Sequence, residues 1–315
     1  MKILHICDGW ETTNGAANIA RLIAGEQTSA GHEIACRRWA CIGELRTADE
    51  IWIHCGWKPC LWWAAFIVAF IRTFARHNVR PFLSWVPEAC YDPVRRRFHG
   101  WKKTLVGPIE RWALRRCDRI VATCEAEREW IADYVGKGCP EVVVTDIKRF
   151  FRLGGERAER DDARDARRVG YGQGLNVLYL GRRHPLKGVE YLETAVSELK
   201  RSGDRFSLEN GSGDRFTTEI ELRLVSNAFG DEKEKVWDWC DVLCLPTLSD
   251  NFGLVVAEAL ERGKRVIVTD GAPAWASPPF DSDGRLLYVR GYREGDAATR
   301  VRLLKEAIES LGTAS

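Results

Sequence analysis

Short apolar runs alternate with helix-length stretches along this chain, and that alternation restricts it to parallel sheets wrapped by helices. In the first half, Lys2–Cys7, Ile51–His54, Pro81–Trp85, Arg119–Thr123 and Glu141–Thr145 read as strands. Helical patterns fall between them at Ala16–Ala30, which ends on Gly31 as a C-cap, and at Lys102–Cys117 and Ala126–Tyr134. The pattern restarts later with strands at Asn176–Leu180, Asp241–Leu245 and Arg265–Thr269, and helices at Gly188–Arg201, Gly253–Arg262 and Ala297–Leu311.

Between the two halves, Arg152 to Gly174 breaks the rhythm: Gly154-Gly155 precede a dense run of Arg, Asp and Glu, then Gly170, Gly172 and Gly174. The expected organisation is therefore a Rossmann-like domain over 1–153, a charged, Gly-rich linker over 154–174, and a second domain over 175–295. A terminal helix follows over 296–315, with a possible return to the first domain. Two such sheets bind ligands at loops after their strands, in a cleft between domains.

Bulk properties exclude several classes. The 315 residues carry a net charge of +2, which gives no reason to invoke nucleic acid. The start, Met-Lys-Ile-Leu-His-Ile-Cys, lacks the basic, apolar and small-residue regions of a signal peptide, so a cytoplasmic location is expected. The 11 cysteines lack C-x-x-C spacing and read as reduced, mostly buried small hydrophobes. Pro59–Ile71 is nearly all apolar, but at about 13 residues it is too short to span a bilayer and reads as a buried helix.

Three segments carry chemistry. In Cys240–Trp275 a buried strand leads into the loop Pro246–Asn251 and a helix starting near Gly253. Asp250 lies in the loop and Glu258 on the helix. The amides of Asn251, Phe252, Gly253 and Leu254 sit at a helix N-terminus, which favours phosphate or developing negative charge. In Leu178–Gly188 a strand ends at Gly181, and Arg182 and Lys187 flank a Pro-containing turn suited to a diphosphate. At Asn14-Gly15-Ala16-Ala17 the first βα turn carries a glycine that lets a ligand approach the backbone. Taken singly, each also fits an ordinary βα loop with a capping Asp or solvated cations.

Together these segments resemble the retaining glycosyltransferases of family 4, in particular bacterial members of lipopolysaccharide or exopolysaccharide assembly. The family pattern S-E-N-F-G-x-V-V-x-E-A followed by G-A-P-W is similar to Ser249-Asp250-Asn251-Phe252-Gly253, Val255-Val256, Glu258-Ala259, then Gly271-Ala272-Pro273 and Trp275. The G-R-x-x-P-x-K-G signature is similar to Gly181-Arg182 through Lys187-Gly188. Phe229–Lys233 resembles F-G-E-E-K, and Ile53–Trp57 resembles H-x-H-G-L-W.

The resemblance implies an α/β fold of GT-B type, with two Rossmann-like, doubly wound parallel-sheet domains facing a cleft. It implies a hexosyl-type transferase that uses a nucleotide-sugar donor (UDP- or GDP-sugar) and a glycan or lipid-linked acceptor, with retention of configuration and no metal or other cofactor. Arg182 and Lys187 would hold the diphosphate and stabilise the leaving group. Glu258 would bind the ribose, Asp250 and the 251–254 backbone the transferred sugar, and Gly15 would admit the diphosphate. Asp250, Arg182 and Lys187 are the catalytic candidates; His54, Trp57 and Glu88 are candidates for the acceptor side.

The chain departs from the family in three places. The first acid is Asp250 rather than Glu, Trp85–Cys90 lacks the histidine of relatives, and Phe206–Phe229 reads as compressed, with a strand and turn shortened or missing. Residues 94–116 interleave Arg95, Arg96 and Arg97 with Trp101 and other aromatics, either as a surface for an anionic membrane or as a solvated helix with its aromatics in the core. Two other functions fit parts of the pattern: a non-catalytic nucleotide-sugar-binding scaffold and a sugar-nucleotide epimerase. No acid/base cluster supports the epimerase.

Overall fold

Strand β1 (Lys2–Cys7) is buried from Ile3 to Cys7. A continuous apolar run of this kind belongs in a parallel sheet covered on both faces. The computed structural model describes residues 1–7, 10, 15–55, 60–74, 81–87, 91–98, 100–151, 174–201, 206–209, 215–226, 228–276 and 284–311. It divides into two units, Met1–Phe150 and Phe151–Ser315.

In the first unit β1 is followed by α1 (Gly15–Ser29), β2 (Glu33–Arg37), α2 (Ile42–Thr47), β3 (Glu50–Cys55), α3 (Cys60–Phe74) and β4 (Phe82–Pro87). Then come α4 (Pro93–Phe98), α5 (Gly100–Leu114), β5 (Arg119–Ala122), α6 (Glu125–Val135) and β6 (Glu141–Val144). The sheet runs β2-β1-β3-β4-β5-β6 and every pairing is parallel. Leu45 of α2, Ile67 and Val68 of α3, Leu114 of α5 and Ile131 of α6 share one core. Ile23 of α1 packs in another, with Ile3, Trp52, Val86 and Val121. Helix α1 therefore lies on one face of the sheet, and α2, α3, α5 and α6 on the other.

Helix α3 corrects the expectation of a buried helix. Its inner side (Leu61, Ala64, Ile67, Val68, Ile71) is buried, but Trp62 is 59% and Phe66 47% exposed. Its apolar composition hides an amphipathic position: one face meets the core, and the other has no cover among the described residues.

In the second unit β7 (Leu175–Leu180) leads through a 3-10 turn at Pro185–Lys187 into α7 (Val189–Arg201). Next are β8 (Phe206–Glu209), β9 (Arg215–Thr218), β10 (Ile220–Val225), α8 (Gly230–Trp239), β11 (Val242–Leu245), α9 (Leu254–Glu261), β12 (Arg265–Thr269), β13 (Leu286–Val289) and α10 (Ala297–Ser310). The parallel sheet runs β10-β7-β11-β12-β13, and β8 and β9 form a separate antiparallel pair. The segment expected to have a strand and turn shortened or missing holds three strands, β8 and β9 of four residues each and β10 of six. Helix α10 packs beside α7: Arg300 donates to the Tyr191 hydroxyl at 3.0 Å, and Lys305 reaches Glu198 at 3.1 Å.

The chain order reverses at β7. Strand β10 pairs with one of its edges and β11 with the other. In an open α/β sheet the crevice beyond the carboxyl ends of the strands at such a reversal is where ligands bind. The corresponding reversal in the first unit falls between β1 and β3.

Candidate functional site

The loop after β7 opens with Gly181 and closes with Gly188, which adopts the left-handed φ of +59°. A Cβ on Gly188 would lie 2.2 Å from the Pro246 carbonyl oxygen, so only glycine lets this loop press against the loop after β11. Leu248 N–H donates to the Leu186 carbonyl at 2.8 Å, and Thr247 Oγ1 donates to the same oxygen at 3.1 Å. Gly271, after β12, does the same from the other side: its Cβ would lie 2.0 Å from the Thr247 oxygen. Three loops at the carboxyl ends of β7, β11 and β12 are thereby locked to one another.

Two acids and two lysines occupy this platform. Asp250 forms an ion pair with Lys187 and accepts the Gly253 amide at 3.3 Å through its other oxygen. Its own amide donates to the Gly271 carbonyl at 2.8 Å. The side chains of Lys187 and Asp250 are 17% and 20% exposed, shielded but open to a ligand. Glu258, on α9, pairs with Lys233 of α8 at 2.6 Å. Arg182 is exposed, and among the described residues its guanidinium takes no ion pair, whereas the adjacent Arg183 is held by Glu193.

The sequence assigned Gly181, Arg182, Lys187, Asp250, Asn251, Phe252, Gly253, Leu254 and Glu258 to one site, and all lie on these loops or on the helix that follows. Phe252 can contribute only its backbone. Its ring is 1% exposed and packs at 5.1 Å on Trp275, whose indole N–H donates to the Phe252 carbonyl. Gly253 has φ +69° and precedes α9, so the chain turns sharply and sends the first amides of the helix toward the loops. The positive end of the helix dipole adds to the two cations there.

Two further residues shape the site. Tyr179, buried in β7, donates to the Arg182 carbonyl at 2.7 Å and covers Gly181. Burial raises its phenol above the ordinary range, keeping it a neutral donor. Lys233 neutralises Glu258, a role that no local spacing reveals because the two sit on different helices.

In the first unit, Gly15 opens α1. His54 ends up inside rather than at the surface: it is 3% exposed, and its Nε2 lies 2.9 Å from His5 Nδ1. His5 Nε2 in turn lies 2.6 Å from Gln27 Oε1. Arg95 and Arg96 are half-buried, and Arg96 pairs with Asp133 at 2.8 Å, leaving Arg97 exposed. Trp57, Glu88 and the linker over 154–173 lie outside the described residues, as does the side chain of Trp101. Nine cysteines whose side chains are described are free thiols, with Cys41 exposed. No helix among the described residues is long and apolar enough to cross a membrane.

Residues 174–304 match the family model described as "Glycosyl transferases group 1". A protein of Klebsiella pneumoniae, "Uncharacterized 41.2 kDa protein in cps region", is 26% identical over 225 residues, covering 70% of this chain and 61% of that protein. The chain thus spans less than two thirds of that relative's length. Among solved structures, sucrose-phosphate synthase from Thermosynechococcus elongatus superposes with a TM-score of 0.62 at 13% identity, over 99% of this chain and 95% of that one. Anabaena HepE in complex with UDP-glucose gives 0.55 at 15% identity, with the same coverage. In sequence the second unit matches the group 1 glycosyltransferases, and the chain has the α/β fold of the GT-B glycosyltransferases.

Proposed function

We propose that this protein transfers a sugar from a nucleotide-sugar donor to a glycan or lipid-linked acceptor, with retention of configuration and without a metal ion. The observation that carries the reading is the pairing of Lys187 with Asp250, and of Glu258 with Lys233, on the loops beside the β7/β11 reversal. The exposed Arg182 guanidinium and Lys187 suit the two phosphates of a nucleoside diphosphate. Glu258 would accept hydrogen bonds from ribose hydroxyls, and Asp250 with the start of α9 would bind hydroxyls of the sugar. As the bond from the anomeric carbon to the diphosphate breaks, the electron pair leaves with the phosphate oxygen. Fixed cations and helix amides then stabilise that charge with little reorganisation. The acceptor hydroxyl oxygen bonds the same carbon from the face the diphosphate leaves, and its proton passes to the departing phosphate oxygen.

The HepE complex with UDP-glucose makes a UDP-sugar the first donor to try, with a GDP-sugar next. The Klebsiella relative's place in a cps region supports a role in cell-surface polysaccharide synthesis, which would be carried out on the cytoplasmic side.

Calorimetric titration with UDP, GDP and ADP in the presence of a chelator tests the reading. One diphosphate should bind to the wild type and lose affinity in both Lys187→Ala and Glu258→Ala. Binding that needs a divalent ion overturns the metal-free part, and unaltered binding by both variants overturns the site. Nucleotide binding with no transfer to any acceptor pool would favour a scaffold, for which the shorter Asp250 is the specific observation.

A further inference from the structure

The outer face of α3 carries no cover among the described residues. With 3.6 residues per turn, Trp62, Phe66 and Thr73 fall on one stripe, with Trp63 and Phe70 to one side and Arg72 to the other. Contacts follow that geometry. Trp63 meets Trp39 edge-on at 6.0 Å and stacks on Phe66 at 5.2 Å, while Arg72 reaches Asp118 at 3.0 Å. Trp39, just before α2, and Ile42, its first residue, are 53% and 49% exposed, comparable to Trp62. The result is a contiguous aromatic surface on the first unit.

Two arginines border it. Arg38 lies 5.8 Å from the Trp39 ring centroid and Arg46 lies 5.7 Å from that of Phe70, while α3 contains no acidic residue. The nearby Glu44 is spent on Arg37 at 2.6 Å and on the Cys41 amide at 2.9 Å.

We infer that this α2–α3 surface docks on an anionic lipid bilayer. Trp and Phe side chains enter the headgroup region readily, and arginines beside them meet lipid phosphates. A symmetric contact with a second copy is disfavoured, because it would press one arginine-bordered patch against another with no acid on α3 to offset the charge. The inference rests on the first unit alone and does not depend on the reading of the donor loops.

Flotation of the full chain with phosphatidylglycerol-containing vesicles, against pure phosphatidylcholine vesicles, tests it. The wild type should float with the anionic vesicles and lose binding as salt rises. Trp62→Gln/Phe66→Gln should weaken partitioning at least about tenfold, and Arg38→Gln/Arg46→Gln about fivefold per arginine. Both pairs alter exposed groups, so melting temperatures should match the wild type, and a variant that fails this check is replaced by Trp39→Gln. Equal binding to both vesicle types, wild-type binding by the aromatic variant, or no flotation overturns the inference. So does a concentration-dependent dimer, seen by sedimentation, that the aromatic variant abolishes.

Discussion

Lys233 Nζ lies 2.6 Å from Glu258 Oε2, so the acid proposed to bind ribose is held by a lysine from the preceding helix. The pair is about a quarter exposed on each side, too solvated to count as a stability device. Its consequence is orientation: the lysine fixes which way the carboxylate faces. Lys233→Ala should therefore weaken UDP by about fivefold, the scale of one hydrogen bond, and reduce discrimination between UDP and 2′-deoxy-UDP. Titration of both ligands against both proteins checks this; a variant that discriminates as the wild type does would show that Lys233 plays no positioning part.

The Lys187–Asp250 pair predicts opposite outcomes for its two members. Removing the ammonium with Lys187→Ala should cost about 10- to 100-fold in diphosphate affinity, the range of a charge-assisted hydrogen bond. Asp250→Asn releases the lysine instead. Diphosphate affinity should hold or rise, while binding of the intact nucleotide-sugar falls with loss of the sugar contact. Parallel titrations with UDP and UDP-glucose separate the two. If Asp250→Asn weakens UDP as much as Lys187→Ala does, the acid belongs to the diphosphate site rather than the sugar site.

Much of this arrangement is legible in the sequence because it is local. Strands β1, β7, β11 and β12 are largely apolar runs followed by glycine-bearing loops, and Lys187, Asp250 and Glu258 lie within a few residues of such glycines. Strand β2, half-exposed and charged at both ends as Glu33-Ile-Ala-Cys-Arg37, carries too weak a pattern to read. The pair β8 and β9 sits in a polar stretch that the sequence reads as compressed. Lys233 lies in the stretch that resembles F-G-E-E-K, but its pairing with Glu258 escapes notice because the two sit on different helices. For α3, apolar all round, periodicity cannot say which face the sheet will cover, so the exposed Trp62 and Phe66 had to await the structure. His54 likewise looks like a site residue until His5, on the neighbouring strand, is seen to take its nitrogen.

The interlocked loops give a steric prediction. At Gly188 an alanine methyl meets the Pro246 oxygen at 2.2 Å in a left-handed backbone, so Gly188→Ala should destabilise the protein by about 2 to 4 kcal/mol. Nucleotide binding should fall with it as Lys187 is displaced. Gly25 is the internal contrast: it lies within α1 with nothing within 4 Å of the added methyl. Gly25→Ala should stabilise by about 0.5 to 1 kcal/mol. Thermal melts of the two variants should move in opposite directions, and a neutral Gly188→Ala would contradict the packing described.

The His5–His54 pair makes stability depend on mild acid. Gln27 Oε1 accepts a hydrogen bond, so His5 carries its proton on Nε2 and presents a bare Nδ1 to the Nε2–H of His54. Both rings are then neutral, and a further proton on His5 Nδ1 would face the N–H of His54. Burial pushes the His5 pKa down to about 4, partly offset by the Gln27 hydrogen bond. Burial, then the proximity of His5, lowers His54 as well. In the unfolded chain both imidazoles take protons near the ordinary 6.5. As the pH falls through 6.5 the unfolded state binds protons that the folded state refuses, so stability drops. The loss continues to about pH 4 and is on the order of 3 kcal/mol for His5 alone. Melting temperatures from pH 7.5 downward should show this decline, and His5→Gln/His54→Gln should flatten it between about 6.5 and 4.5. An equally steep decline in that double variant would assign the acid sensitivity to carboxylates elsewhere in the fold.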